Sequence, residues 1–481
     1  MTLVLSHLQP LSGNNMQNKT KYVFLYLLLV GLSVQAQSFF DYTVKEGDSR
    51  WKMAQDFGIS LDSLSLLNPH LSKSSMELPI GVSVHLPVVS KFSNDLKTND
   101  KNTTIYTPTK LSDQIPFLDS LVNPASFEFV YALPFRLDKM NFQDSIMGQK
   151  IIAARRDMKL SLSFYSGALM AVDSLKKFGI NISPRPVDSE LDGTFLYNNL
   201  YEDSPPVPHA IFGPLSNAAN TVVLRYAQQH RIPAVLPVVS SGSMSYDKAF
   251  YPVPKEKVLR DKLLDYAQKT YGGQKVLIIA DIENTAVAAQ IKAIFPRAFQ
   301  VALTDNISID IDFFSKQLDS VNPNWVFVET ENLKLVSSVS SILNANITKK
   351  VKIKMFTTNR NKAFENDVID NQHLSALQFC FSAFYKKTTD SRFTAAYEAR
   401  FGDYPDPLAI RGFDLTMDLA LKMAYYKGWE AAQNIMGPVV YTDHKFYYSS
   451  LFSPSGLPAE GLYNTASFIM QYEDMDVKLI E

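Results

Sequence analysis

Ala210-Ile211-Phe212-Gly213-Pro214-Leu215-Ser216 leads into Ala219, Val222, Val223 and Tyr226 at helical spacing, and Arg231-Ile232-Pro233-Ala234-Val235-Leu236-Pro237 follows. The stretch reads as strand, turn, helix and strand. Short apolar runs without polar alternation, bounded by Gly and Pro, suit strands buried on both faces, and a helix between two of them suits a parallel crossover. The pattern recurs on either side. Phe127-Glu128-Phe129-Val130-Tyr131-Ala132-Leu133-Pro134 is an earlier strand, and Phe164, Ala168, Ala171, Leu175 and Phe178 mark one face of a helix that Gly179 ends. Further on, Val276-Leu277-Ile278-Ile279-Ala280-Asp281, Trp325-Val326-Phe327-Val328 and Ile353-Lys354-Met355-Phe356 repeat the strand signature. The class is therefore α/β, with parallel sheets covered by helices.

The chain has 481 residues, of which 46% are apolar and 20% charged, with a formal net charge of -1. That length exceeds one usual core, so two or more lobes are expected. Lys and Arg form no basic face, and no nucleic-acid partner is expected.

Lys19 and Lys21 precede an apolar run from Tyr22 to Leu32 that closes in Ser33-Val34-Gln35-Ala36. Residues 1–36 thus read as a secretory signal, with Met16 as a second place for it to begin. The run is well short of the ~20 residues a spanning helix needs, so the expectation is a protein of the periplasm or cell envelope that does not span the membrane. Cys380, between Phe379 and Phe381, is the single cysteine. No disulfide framework exists, and Cys380 reads as a buried strand residue.

Residues 40–88 hold a complete small module. Tyr42-Thr43-Val44 has strand propensity, Glu46-Gly47-Asp48 turns, and Trp51, Ala54 and Phe57 mark a helix stopped by Gly58. A second helix buries Leu61, Leu64 and Leu67 and closes at Asn68-Pro69, and Val82, Val84 and Leu86 alternate with Ser83 and His85 in a final strand. The order is βααβ. Tyr42-Thr43-Val44-Lys45-Glu46-Gly47-Asp48-Ser49, Trp51, Ala54, Phe57-Gly58-Ile59-Ser60, Leu64, Asn68-Pro69, Gly81 and Leu86-Pro87 resemble a LysM domain. Arg50 and Val82 depart from the family's habit. The resemblance implies binding of N-acetylglucosamine polymers, here peptidoglycan, through Gly47, Asp48, Ser49 and Arg50 on one side of a groove and Met76, Leu78, Pro79 and Ile80 on the other. An N-acetyl group offers one donor, one acceptor and a methyl, which turn amides and an apolar wall can match without charge.

Residues 89–126 are rich in Ser, Asn, Asp, Lys and Thr and read as a flexible linker. As a coil of about 38 residues it would span about 30–40 Å.

Residues 127–481 resemble the type 1 periplasmic-binding-protein superfamily, in particular its branched-chain amino-acid-binding and receptor ligand-binding branches. The markers are Ala210 to Ser216, Arg231 to Pro237 with Ser240-Ser241, then Tyr397, Phe401-Gly402, Pro405 and Arg411-Gly412-Phe413-Asp414. The resemblance implies two lobes of parallel sheet joined by about three crossings, with a ligand cleft floored by strand-end loops. Ser216, expected to open a helix, Ser240 and Ser241 would line one wall. Glu331, Asn332, Thr357 and Thr358 would line the other. Val238 and Val239 stand where amino-acid binders place small residues, and they would crowd such a site.

Nothing points to enzyme chemistry. The seven histidines show no metal-ligand spacing, and no phosphate loop, nucleophile elbow or dinucleotide fingerprint occurs, so neither metal nor cofactor is expected. Two readings stand: a cell-wall-tethered binder of a small polar solute such as an amino acid or peptide, and a ligand-free regulator or scaffold with a cell-wall protein partner. A glycan-cleaving enzyme using two carboxylates is a weaker third.

Overall fold

A computed structural model describes residues 39–44, 64, 68, 81–87, 106–108, 111–116, 118, 121, 125–140, 145–201, 206–216, 219–240, 244–387, 390–425, 427–450 and 461–481. In the first module, strands Phe39–Thr43 and Ser83–Pro87 pair antiparallel, Tyr42 facing Val84. Val44, Leu64, Val84 and Asn68 are buried, and the Asn68 side chain donates to the Leu64 carbonyl at 3.0 Å. Gly81, at φ 87, sits where the second strand is entered and donates to Val44 O at 2.9 Å.

The rest of the chain builds two seven-stranded sheets. From edge to edge the first runs Tyr448–Ser449, Leu462–Asn464, Ala249–Tyr251, Ala234–Val235, Ala210–Phe212, Ala125–Leu133 and Ile180–Asp188. The second runs Asp476–Leu479, Phe468–Glu473, Cys380–Ala383, Ile353–Thr357, Asn324–Glu329, Lys275–Ala280 and Phe299–Gln300. Five neighbouring pairs of the first and four of the second are parallel. The apolar runs of the sequence are the strands between these edges, buried on both faces as a parallel sheet requires. Ile180–Asp188 escapes the apolar-run reading because Pro184 and Pro186 interrupt it. It lies at a sheet edge, where a missing N–H breaks no second ladder.

Beneath the first sheet, the helices Arg156–Lys176 and Pro407–Met423 cross backbone to backbone. Gly167 faces the Ala409 carbonyl, and Gly412 faces the Phe164 carbonyl. Neither position has room for a methyl group.

The chain crosses between the lobes three times, after Tyr251, after Ala383 and after Asn464. Asn464 is buried and ties the first and third crossings together. Its amide donates to Pro252 O at 3.1 Å and Lys445 O at 3.0 Å, and its oxygen accepts from Tyr447 N and Ala466 N.

The linker expectation needs correction. Tyr106, Leu111 and Ile115 are buried in the first lobe's core. Ser174 Oγ donates to Tyr106 O at 2.5 Å, and Gln114 exchanges two hydrogen bonds with the Val440 backbone. A few apolar residues in a polar stretch were enough to dock the part from Tyr106 onward. Residues 89–105 and the expected signal, residues 1–36, lie outside the described residues.

Candidate functional site

The carboxyl ends of the two sheets meet. The second crossing begins with Phe384, just past the strand Cys380–Ala383, and the Arg411 guanidinium lies 5.0 Å from its ring centroid. Arg411 Nη1 also donates to Pro237 O at 3.4 Å, just past the strand Ala234–Val235. One side chain thus touches both strand ends, where an open α/β sheet keeps its ligand site.

On the first-lobe wall, Ser216 is partly buried and its hydroxyl is enclosed without a hydrogen-bond partner. It does not cap a helix, contrary to the expectation, because the helix begins at Asn220. Ser240 is partly buried, and Ser241 lies outside the described residues. Val238 and Val239 pack back onto core clusters of the first lobe. A cavity of about 510 Å3 opens along this wall, lined in part by Pro134, Arg155, Asp157, Leu191 and Leu215.

On the second-lobe wall the structure joins Asn332, Thr357 and Thr358 to partners that the sequence did not single out. Glu329 accepts from Thr358 N at 2.8 Å and from Thr358 Oγ1 at 2.7 Å. Thr330 Oγ1 donates to Asp281, and Asn332 N donates to Thr330 Oγ1 at 3.0 Å. Asn332 also caps the helix Leu333–Ala345, accepting from Lys334 N and Leu335 N. Thr357 Oγ1 donates to Asn359 O at 3.3 Å. Glu331 points to solvent. The glycan-binding candidates Gly47, Asp48, Ser49, Arg50, Met76, Leu78, Pro79 and Ile80 all lie outside the described residues.

Burial pushes the Glu329 carboxyl up to about 7, with its two bonds from Thr358 acting the other way. A folded-state value above the unfolded one of 4.5 means the native state holds a proton that the unfolded chain releases. Stability from this group is full below about 4.5 and is lost as pH rises through about 7. The loss amounts to roughly 3–4 kcal/mol at ~1.4 kcal/mol per pH unit. Glu329→Gln should flatten denaturant midpoints between pH 5 and pH 8 and exceed the parent above pH 7. An unchanged pH profile would assign the slope to another group.

A further cluster escaped the sequence reading because its members lie far apart along the chain. Asp414, fully buried, accepts from Thr442 N, Asp443 N and His444 N at 2.9–3.0 Å and from His444 Nδ1 at 2.9 Å. His444 Nε2 accepts from Arg411 Nε at 3.3 Å. Burial lowers the His444 value against the pull of Asp414, so the ring is neutral at pH 7, with Nδ1 protonated. The only sequence signal was Arg411-Gly412-Phe413-Asp414, read there as a fold marker. Cys380, fully buried, has its thiol pushed up to about 12 by burial, which suits an inert strand residue. Among the described residues no group of His, Cys, Asp and Glu could hold a metal ion.

Two parallel-dominated sheets joined by three crossings, with their carboxyl ends together, define the two-lobed type 1 periplasmic-binding fold. Residues 42–87 match the LysM domain family, so the chain carries a LysM domain ahead of that fold. No curated protein matches the chain. Similar solved structures include a branched-chain amino acid ABC transporter protein from Rhodospirillum rubrum, 10% identical with a TM-score of 0.47 over 74% of this chain and 99% of that one. Another is a substrate-binding protein from Desulfitobacterium hafniense in complex with Leu, 13% identical with a TM-score of 0.41 over 74% and 100%. A third is a solute-binding protein from R. palustris in complex with benzoate, 13% identical with a TM-score of 0.37 over 74% and 96%. At such scores the fold assignment rests on strand order and crossings. Among the described residues no helix is long and apolar enough to cross a membrane.

Proposed function

We propose that this protein is an exported, non-enzymatic binding protein of the cell envelope. Its LysM domain holds N-acetylglucosamine polymers, peptidoglycan above all, and its two lobes close on a small polar solute such as an amino acid or a short peptide. The observation that carries the solute reading is the convergence of both sheets' carboxyl ends at Arg411, beside a three-stranded hinge. The observation that favours the alternative, a ligand-free regulator or scaffold for cell-wall synthesis enzymes, is that Glu329 and Asp281 are already engaged by Thr358 and Thr330.

The two halves are tested separately. The full chain should sediment with insoluble peptidoglycan and be released by N-acetylglucosamine oligomers, whereas a chain lacking residues 42–87 should stay in the supernatant. Equal sedimentation of the two would remove the LysM domain from the account. A ligand of the cleft should raise the melting temperature, by about 2.7 kcal/mol of stabilisation at a hundredfold excess over Kd. A screen of amino acids, short peptides and muropeptide fragments without any shift would leave the scaffold reading in place.

A further inference from the structure

Arginines enclosed in this protein come with carboxylates. Arg136 pairs with Asp138 and Asp157, Arg155 with Asp157, Arg185 with Glu128, Arg260 with Glu256 and Arg400 with Asp173. Arg411 forms no ion pair among the described residues. Its hydrogen bonds go to a neutral imidazole and a backbone carbonyl, at 3.3 and 3.4 Å, both long for a charge-assisted bond. Asp414, the nearby carboxylate, has both oxygens occupied by the 442–444 turn and reaches Arg411 only through His444. Burial pulls the Arg411 value down to about 10, against the pull of Tyr385, Asp414 and Asp406.

We infer that Arg411 is the anchor for a carboxylate on the solute bound between the lobes. The inference rests on the solute-binding reading and names its charge. Three neighbours fix the guanidinium in place. His444 Nε2 accepts a hydrogen bond from Nε, Pro237 O accepts one from Nη1, and the Phe384 ring lies against the guanidinium. The Nη2 donors remain, at the junction of both strand ends. A guanidinium presents planar, directional donors to a planar anion, and its one positive charge matches one carboxylate. Neutral His444 is essential to this arrangement, because an imidazolium would set two cations side by side. Tyr385, 37% exposed with its ring 5.1 Å from that of Phe384, supplies an aromatic wall for the rest of the solute.

The test uses the full chain and matched probes: L-leucine, L-phenylalanine and L-glutamine, each against its own C-terminal carboxamide, read by melting-temperature shift and titration calorimetry. At least one free acid should bind and its amide should not. Arg411→Gln should weaken the acid by about 10- to 100-fold, the range that loss of a charge-assisted hydrogen bond gives, and Arg411→Lys should keep part of the affinity. Acid and amide binding alike to the native chain would overturn the inference while leaving the solute reading intact, and so would Arg411→Gln binding the acid unchanged. Silence from every acid and every amide would take down both. Should Arg411→Gln fail to fold, the comparison of acid with amide on the native chain decides alone.

Discussion

Gly167→Ala should destabilise the first lobe by about 3 kcal/mol or more, at or above the top of the usual range for overpacking. On an exposed helix the same change would stabilise by up to ~1 kcal/mol, because alanine is the better helix former. Here the clash wins. The added methyl would fall on the Ala409 carbonyl, and backbone cannot swing aside as a flexible side chain does. The helices Arg156–Lys176 and Pro407–Met423 would have to separate, pulling Phe164, Ala168, Ala409 and Phe413 out of contact in the core that carries the first sheet. Gly412→Ala meets the Phe164 carbonyl from the other side and should behave alike. Urea denaturation monitored by far-ultraviolet circular dichroism reads the loss. A midpoint within a few tenths of a molar of the parent would mean that the helix pair yields more easily than its geometry implies.

Lys422→Met should cost about 3–5 kcal/mol, the toll of leaving one member of a buried pair behind. Lys422 Nζ lies 2.7 Å from Asp418 Oδ1, with the two side chains 0% and 4% exposed. Tyr441 donates to the same Asp418 oxygen at 3.0 Å, and the ammonium sits 5.0 Å from the centroid of the Tyr448 ring. Methionine keeps the length of the lysine stem and deletes only the charge, so cavity formation is a small part of the effect. Asp418 then faces an apolar interior with Tyr441 as its remaining donor. The double variant Lys422→Met/Asp418→Leu should recover much of the loss, since an apolar pair of similar volume often replaces a buried ion pair without penalty. A double variant as unstable as the single would show that the geometry, not the stranded charge, sets the effect.

These two features bear on what the residues disclose by themselves. Gly167 is unremarked in the sequence and Gly412 reads only as part of a fold marker, because their meaning lies in a crossing between helices about 240 residues apart; Asp418 and Lys422 stand four apart on one helix, and nothing in that spacing says that the pair is buried. The buried strands were legible: an unbroken apolar run such as Val276 to Ala280 has few other uses. Ile180–Asp188 was not, since its prolines mimic a loop, and neither was the docking of Tyr106, Leu111 and Ile115, three apolar residues scattered through polar neighbours. Thr357 and Thr358 were named from their place at the end of a strand, and the structure bonds Thr358 to Glu329. Glu329 was passed over for the exposed Glu331 two residues on, because strand ends blur by a residue or two and burial is not written in the residue type. His444 offered no local motif to read, and Asp414 stood only in a fold marker.

Tyr106 gives the tether an address. Its hydroxyl accepts from Thr442 Oγ1 at 3.3 Å, its ring packs edge-on to Phe393 and Phe413, and Thr442 belongs to the turn that Asp414 holds. The same turn pairs with the second crossing, through Lys386 N to Asp443 O at 2.9 Å and the bridge between Tyr385 and His444. Roughly 18 residues separate Pro87 from Tyr106, and at ~3.5 Å each they keep the LysM domain within roughly 60 Å of that point. Tyr106 is bonded to a turn that is itself stitched to the second crossing, so the point where the described chain enters the two-lobed body adjoins the joint between the lobes.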